Sequence, residues 1–220
     1  MKQKALFIAA AAVLLAAFVG GAWFYKNNKS SETDAPAQPS DSVYSQLIRM
    51  HSPTLGKPDA KVQLVEFIDP ACEACASFYP LVKKIIATNP DEIRLVLRYA
   101  PFHQGASAVV AVLEATKQQD KFWPALEALL ASQSDWTQHH TAQVGRVWKH
   151  LEGLGLDLEQ VRNDMASPQI ARAIAQDLAD AKALKVNKTP SFFVNGQPLT
   201  NFGYEPLKAM VDQALASAQP

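Results

Sequence analysis

Two cysteines, Cys72 and Cys75, stand in the stretch Phe67-Ile68-Asp69-Pro70-Ala71-Cys72-Glu73-Ala74-Cys75, and the chain has no others. Any disulfide within the chain must therefore join this pair. The cysteines follow an apolar run with a strand's profile and open a helical pattern. At a helix start the first sulfur meets unpaired N–H groups and the positive end of the helix dipole, and both stabilise a thiolate. Such sites lower a cysteine pKa from about 8.5 to roughly 3.5–7.5. The second cysteine lies one turn on, near enough to close a disulfide and to resolve a mixed one. Cys72 is the expected nucleophile and Cys75 the resolving thiol.

Metal binding fits the residues poorly. A zinc site takes about four ligands, and no second cysteine pair exists. His51, His103, His139, His140 and His150 show no ligand spacing with the cysteines. The expectation is no metal and no bound cofactor, since the redox-active disulfide of Cys72 and Cys75 carries the electrons itself.

The N-terminus points to a membrane. After Met1-Lys2-Gln3-Lys4 the chain runs uncharged from Ala5 to Tyr25, long enough as a helix to match a hydrocarbon core of about 30 Å. Trp23, Phe24 and Tyr25 have the character of an interfacial belt, with Lys26 and Lys29 among the head groups. A cleaved signal peptide, with its shorter apolar region, is the alternative. Residues 1–29 are thus read as a signal anchor, 30–44 as a flexible tether with little to bury, and 45–220 as the folded domain. Translocation of that domain puts the cysteines in an oxidising compartment: a single-pass membrane protein with its folded domain in the extracytoplasmic space. Setting aside the four lysines of the anchor leaves 17 of the 21 basic residues against 21 acidic ones. With no basic patch carrying interleaved aromatics, nucleic acid is not an expected partner.

Lys61 to Ile68 is dense in β-branched and aromatic residues and reads as a buried strand. A helix follows from Cys72 to about Ala87, with a kink expected at Pro80, and then a second strand from Ile93 to Tyr99. That β-α-β order implies parallel strands. Residues 106–184 carry helical spacing and no strand signal, with helices expected over Ala106–Lys117, Phe122–Ser132, Thr141–Leu154, Leu158–Met165 and Pro168–Leu184. Ser191-Phe192-Phe193-Val194, Asn195-Gly196 and Gln197-Pro198-Leu199 read as a hairpin, and Glu205 to Ala216 as a closing helix.

From Ser52 to Ala216 the sequence resembles the DsbA-like branch of the thioredoxin superfamily, the bacterial secreted thiol-disulfide oxidoreductases. The resemblance rests on Leu55-Gly56-Lys57-Pro58-Asp59-Ala60, the Cys-x-x-Cys, Tyr99-Ala100-Pro101-Phe102-His103, Phe122-Trp123, and Thr189-Pro190-Ser191-Phe192-Phe193-Val194-Asn195-Gly196. It implies an α/β thioredoxin fold, β-α-β then β-β-α, with an inserted all-helical subdomain over about 106–184. It also implies a cis peptide at Pro190 facing the disulfide, which would let the Thr189 backbone bind an extended substrate chain; an ordinary trans proline opening a strand is the plain alternative. Glu66 matches the acid that lies beneath the resolving cysteine and shuttles its proton. Strand alternation alone leaves open a solvated face for Glu66. Pro80 matches the kink proline of the active-site helix.

Glu73 and Ala74, between the cysteines, depart from the Pro or His common in the family. A carboxylate beside Cys72 opposes its ionisation, and Asp69 adds to this. The expectation is a disulfide less oxidising than in the strongly oxidising members. His103, after the second strand, is a candidate for reaching Cys72, against the plainer reading of a helix-entry residue. The activity expected is thiol-disulfide exchange with protein substrates, reset by a membrane redox partner. The rivals are a reductase or isomerase kept reduced by a membrane electron donor, and a non-catalytic chaperone or metal-handling module.

Overall fold

The computed structural model describes residues 41–217. The expected anchor and most of the tether lie outside them. Among the described residues no helix is long and apolar enough to cross a membrane. Helix α1 (Asp41–Leu47) starts inside the stretch read as tether, and Leu47, fully buried, fixes it to the domain. The chain continues through β1 (Thr54–Leu55), β2 (Val62–Ile68), α2 (Glu73–Thr88) and β3 (Ile93–Tyr99). Strands β2 and β3 pair in parallel from Val62 opposite Ile93 to Ile68 opposite Tyr99. Helix α2 runs on through Pro80 to Thr88.

The insert contains α3 (Ala106–Thr116), α4 (Phe122–Ala131), α5 (Gln133–Trp136), a short hairpin of β4 (Thr137–Gln138) and β5 (Thr141–Ala142), then α6 (Trp148–Leu151), α7 (Leu158–Asp164) and α8 (Pro168–Ala183). The helix expected over Thr141–Leu154 is therefore mostly absent, and the insert is not wholly helical. His139 and His140 both take positive φ, 49° and 59°, to make the hairpin turn. Beyond it, Thr141, Val144, Gly145 and Val147 are poor helix formers, so only a 3-10 turn (Val144–Arg146) and the four residues of α6 close up.

Strands β6 (Ser191–Val194) and β7 (Gln197–Pro198) and helix α9 (Tyr204–Ser217) complete the fold, giving a sheet ordered β1-β3-β2-β6-β7. Asn195 and Gly196 turn the hairpin at φ 45° and 82°, the positive angles that a two-residue turn of this kind requires. Both sheet faces are covered, which accounts for the near-continuous apolar runs in β2 and β3. Leu64, Leu95 and Phe192 pack against Phe78 and Val82 of α2 and Leu207 and Val211 of α9. On the other face Val65, Phe67, Val96 and Phe193 meet Leu47 of α1 and Ala181 of α8. Ile68, Leu97 and Tyr99 extend into a third cluster built with the insert, which also holds Cys75, Phe122 and Trp136.

A buried ion network ties the insert to the sheet. Arg98 of β3, fully buried, donates from Nε and Nη2 to Asp177 at 3.0 and 2.7 Å, and from Nη2 to Asp180 at 2.7 Å. Arg49 binds Asp180 through Nε and Nη2 at 2.8 and 2.7 Å. The other oxygen of Asp177 accepts the Tyr99 N–H at 2.8 Å, so both buried carboxylates of α8 are satisfied.

The loop entering the insert depends on Gly105. Its φ of 80° is a left-handed value, and a Cβ there would stand 2.5 Å from the Ala142 carbonyl oxygen. The close approach arises because the Gln104 carbonyl accepts the Ala142 N–H at 2.8 Å. Gly105→Ala is expected to lower unfolding stability by about 1–3 kcal/mol, read from the urea midpoint. An unchanged midpoint would show that this contact relaxes at no cost.

Candidate active site

Pro70 ends β2, and the turn after it is closed by Asp69. The Asp69 carbonyl accepts the Cys72 N–H at 3.0 Å, and its side chain accepts the Ala71 N–H at 2.8 Å. Cys72 is the N-cap of α2, with extended backbone angles of −82° and 118°. That conformation leaves the sulfur outside the helix while the next N–H groups face it. Cys72 keeps 7% of its surface exposed and Cys75 none. Both are free thiols. The first sulfur has a path to solvent and the second is sealed beneath it.

Protons divide unequally between them. Cys72 is lowered to about 5, chiefly by the hydrogen bond from the Cys75 thiol, against the opposing effect of burial. The Thr189 hydroxyl and the N–H groups of Cys75 and Ala74 add to the lowering. The helix start thus contributes, as its dipole predicts, but the neighbouring thiol contributes more. Cys75 is pushed well above the ordinary thiol value, first by burial and then by the Cys72 charge.

Glu66 lies on β2 between Leu97 of β3 and Phe192 of β6, wholly buried. With both faces of the sheet covered and Glu66 at 0% exposure, the solvated alternative does not hold. Neither carboxylate oxygen has a hydrogen-bond partner. Burial first, and the Cys72 charge second, raise its pKa to about 8. Its charge also raises Cys75, which links the acid electrostatically to the sealed sulfur.

The Thr189–Pro190 peptide is cis. The Cys72 thiol donates to the Thr189 carbonyl at 3.3 Å, so the backbone just before Pro190 lies against the more exposed of the two sulfurs.

The structure places the remaining candidates as follows. The side chain of Glu73 is exposed, and neither it nor Asp69 figures among the groups that shift Cys72. Water around the exposed Glu73 weakens the repulsion argued from it, and the Ala74 N–H lowers Cys72; a Cys72 at about 5 still lies above the lowest values of about 3.5 that such sites reach. His103 does not pair with a sulfur: its N–H and Nδ1 bind the Asp69 carboxylate at 2.8 and 2.7 Å. Its ring also stacks on His140 with centroids 5.6 Å apart. Sequence reading missed Gln133, whose Nε2 donates to the carbonyls of Pro70 at 2.7 Å and Cys72 at 3.0 Å. Nothing in the local pattern of a helical insert signals that reach. Among the described residues no group of three or more His, Cys, Asp or Glu side chains gathers as metal ligands do.

A family model described as thioredoxin matches residues 49–213. The chain belongs to the thioredoxin family. A thioredoxin-like oxidoreductase from Silicibacter pomeroyi DSS-3 superimposes with a TM-score of 0.68 at 30% identity, covering 81% of this chain and 98% of that one. Two further structures share the thioredoxin-like fold with its helical content. BdbD from Bacillus subtilis, in its oxidised form, gives a TM-score of 0.67 at 23% identity over 76% of this chain and 94% of its own. The alpha-DsbA1 of Wolbachia pipientis gives 0.70 at 17% identity, over 80% and 97%. Among curated sequences, the Na(+)/H(+) antiporter NhaA of Herminiimonas arsenicoxydans is 32% identical over 144 residues, which make up 66% of this chain but 22% of the antiporter. A second NhaA, from Salinispora tropica, aligns over 25% of its length. The chain spans about a quarter of the length of the curated relatives it matches.

Proposed function

We propose that this member of the thioredoxin family exchanges disulfides with protein substrates through Cys72 and Cys75. The observation that carries the reading is the asymmetry of the pair: a Cys72 lowered to about 5 with access to solvent, above a sealed Cys75 and an unpaired, buried Glu66. The similarity to an oxidoreductase at 30% identity supports it.

In the oxidising direction a substrate thiolate attacks Cys72 Sγ of the Cys72–Cys75 disulfide. A mixed disulfide forms and Cys75 leaves as a thiolate, which Glu66, with a pKa near the working pH, supplies with a proton. A second substrate thiolate then attacks the substrate sulfur of the mixed disulfide and expels Cys72 as a thiolate. The substrate is oxidised by two electrons, and the pair becomes a dithiol. Run backward, the same steps reduce a substrate disulfide, with Glu66 taking the Cys75 proton. The Thr189 backbone, turned toward the sulfurs by the cis peptide, pairs with the substrate's extended main chain. The domain acts outside the cytoplasm, held by the N-terminal segment and reset by a membrane redox partner.

Cys72→Ser is expected to abolish exchange with a disulfide-bonded peptide, and Cys75→Ala to accumulate mixed disulfides on Cys72 that dithiothreitol releases. Full activity in Cys72→Ser would refute catalysis at this pair and favour a binding module. Equilibration against glutathione fixes the direction: a potential near about −120 mV marks an oxidase and near about −270 mV a reductase.

A further inference from the structure

Gln133 belongs to the insert, far in sequence from the cysteines, yet its amide lies against their loop. The side chain is 5% exposed. Its backbone is held on both sides: its carbonyl accepts the Thr137 hydroxyl at 2.7 Å, and fully buried Trp136 donates Nε1 to the Leu129 carbonyl at 2.9 Å. From that base Nε2 donates to the carbonyls of Pro70 and Cys72, the two that flank the Ala71–Cys72 segment. The Cys72 carbonyl also accepts the Ala76 N–H at 3.2 Å, closing the first turn of α2.

We propose that Gln133 is a positioning residue for Cys72, by which the insert pins the peptide planes at the two ends of the Ala71–Cys72 segment that carries the attacking sulfur. The inference rests on the reading of Cys72 as that sulfur. Two physical effects follow from the geometry. The N–H groups of Ala74 and Cys75 face Sγ only while the Cys72 backbone keeps its capping angles; the bond to Cys72's own carbonyl restrains them directly, and the bond to the Pro70 carbonyl holds the chain one residue upstream. In a buried site, moreover, a donor on a carbonyl oxygen draws off partial negative charge that otherwise opposes a neighbouring thiolate. The insert is thereby more than a cover over the sheet: one of its side chains tunes the chemistry.

The test uses the full chain with Gln133→Met, which keeps length and apolar bulk but donates nothing, and Gln133→Glu, which keeps shape and turns a carboxylate toward the two carbonyls. Thiolate absorbance against pH and the alkylation rate of Cys72 by iodoacetamide at pH 5 are read beside the urea midpoint. The thiolate midpoint is expected to rise by about one pH unit in the Met variant and further in the Glu variant, so that alkylation at pH 5 falls about fivefold or more. A purely structural Gln133 would lower the urea midpoint and leave both thiolate readouts within twofold of wild type, which would overturn the inference. Should Gln133→Met not fold, the same comparison in Gln133→Glu decides. Loss of the site reading is a separate result, seen as exchange activity surviving Cys72→Ser whatever the Gln133 variants do.

Discussion

Glu66→Gln is expected to make the reduced protein more stable at pH 7 by roughly 3 kcal/mol, the free energy of keeping the carboxyl protonated in the fold, where its pKa is about 8, at a pH where the unfolded chain, with a value near 4.5, ionises it. The folded state binds this proton more tightly than the unfolded chain. Its stabilising effect is therefore complete below the unfolded value near 4.5 and is lost as pH rises toward 8. Wild type and variant should have nearly equal stability at pH 4 and diverge steadily across that window. Function moves the other way. Without the carboxylate, Cys75, already pushed well above the ordinary thiol value, must give its proton to water. Resolution of a mixed disulfide should slow by about 10²–10⁴-fold, the usual contribution of a positioned base. Urea unfolding across pH 4–8 and single-turnover resolution check the two halves. Parallel stability curves would mean that Glu66 stays ionised in the fold.

Arg98→Met should cost about 3–5 kcal/mol, the usual penalty for removing one partner of a buried charge network. The substitution removes the guanidinium that bridges Asp177 and Asp180, fully buried and 3% exposed, and leaves Arg49 on Asp180 and His51 on Asp177. Burial pushes the Asp180 carboxyl up, but the hydrogen bonds from Arg49 and Arg98 outweigh it and hold the group below its ordinary value. A depressed carboxyl stabilises above its unfolded pKa and loses that effect as pH falls through the folded one. The deficit of Arg98→Met should therefore be full at pH 7 and shrink toward pH 3. Lys57→Ala provides the contrast. Its partner Asp91 is 71% exposed, so the change should cost less than about 1 kcal/mol. Equal costs for the two variants would contradict the importance given to the network.

The strands, the active-site helix and the Asn195-Gly196 hairpin were legible because each has its own local signal: β-branched density, a capping position, or turn residues with positive φ. The burial of Glu66 and the cis peptide at Pro190 were legible only through the resemblance, because alternation alone left the face of Glu66 undecided. What escaped sequence reading was tertiary. The segment after Thr141 has enough apolar spacing to suggest a helix, but the His139-His140 turn and the pairing with Gln104 divert it into a hairpin. Asp177 and Asp180 look like the wet face of a helix until Arg98 is seen beneath them. Glu73 sits beside Cys72 in sequence yet points to water, while Gln133, some sixty residues on, touches the Cys72 carbonyl.

The most direct measurement is the pH titration of thiolate absorbance at 240 nm in the reduced wild-type protein, repeated in Cys72→Ser. One sulfur should ionise with a midpoint of about 5, and that step should vanish in Cys72→Ser, since Cys75 holds its proton well beyond it. A first midpoint near the unperturbed value of about 8.5, or a low midpoint that survives in Cys72→Ser, would contradict the activation of Cys72.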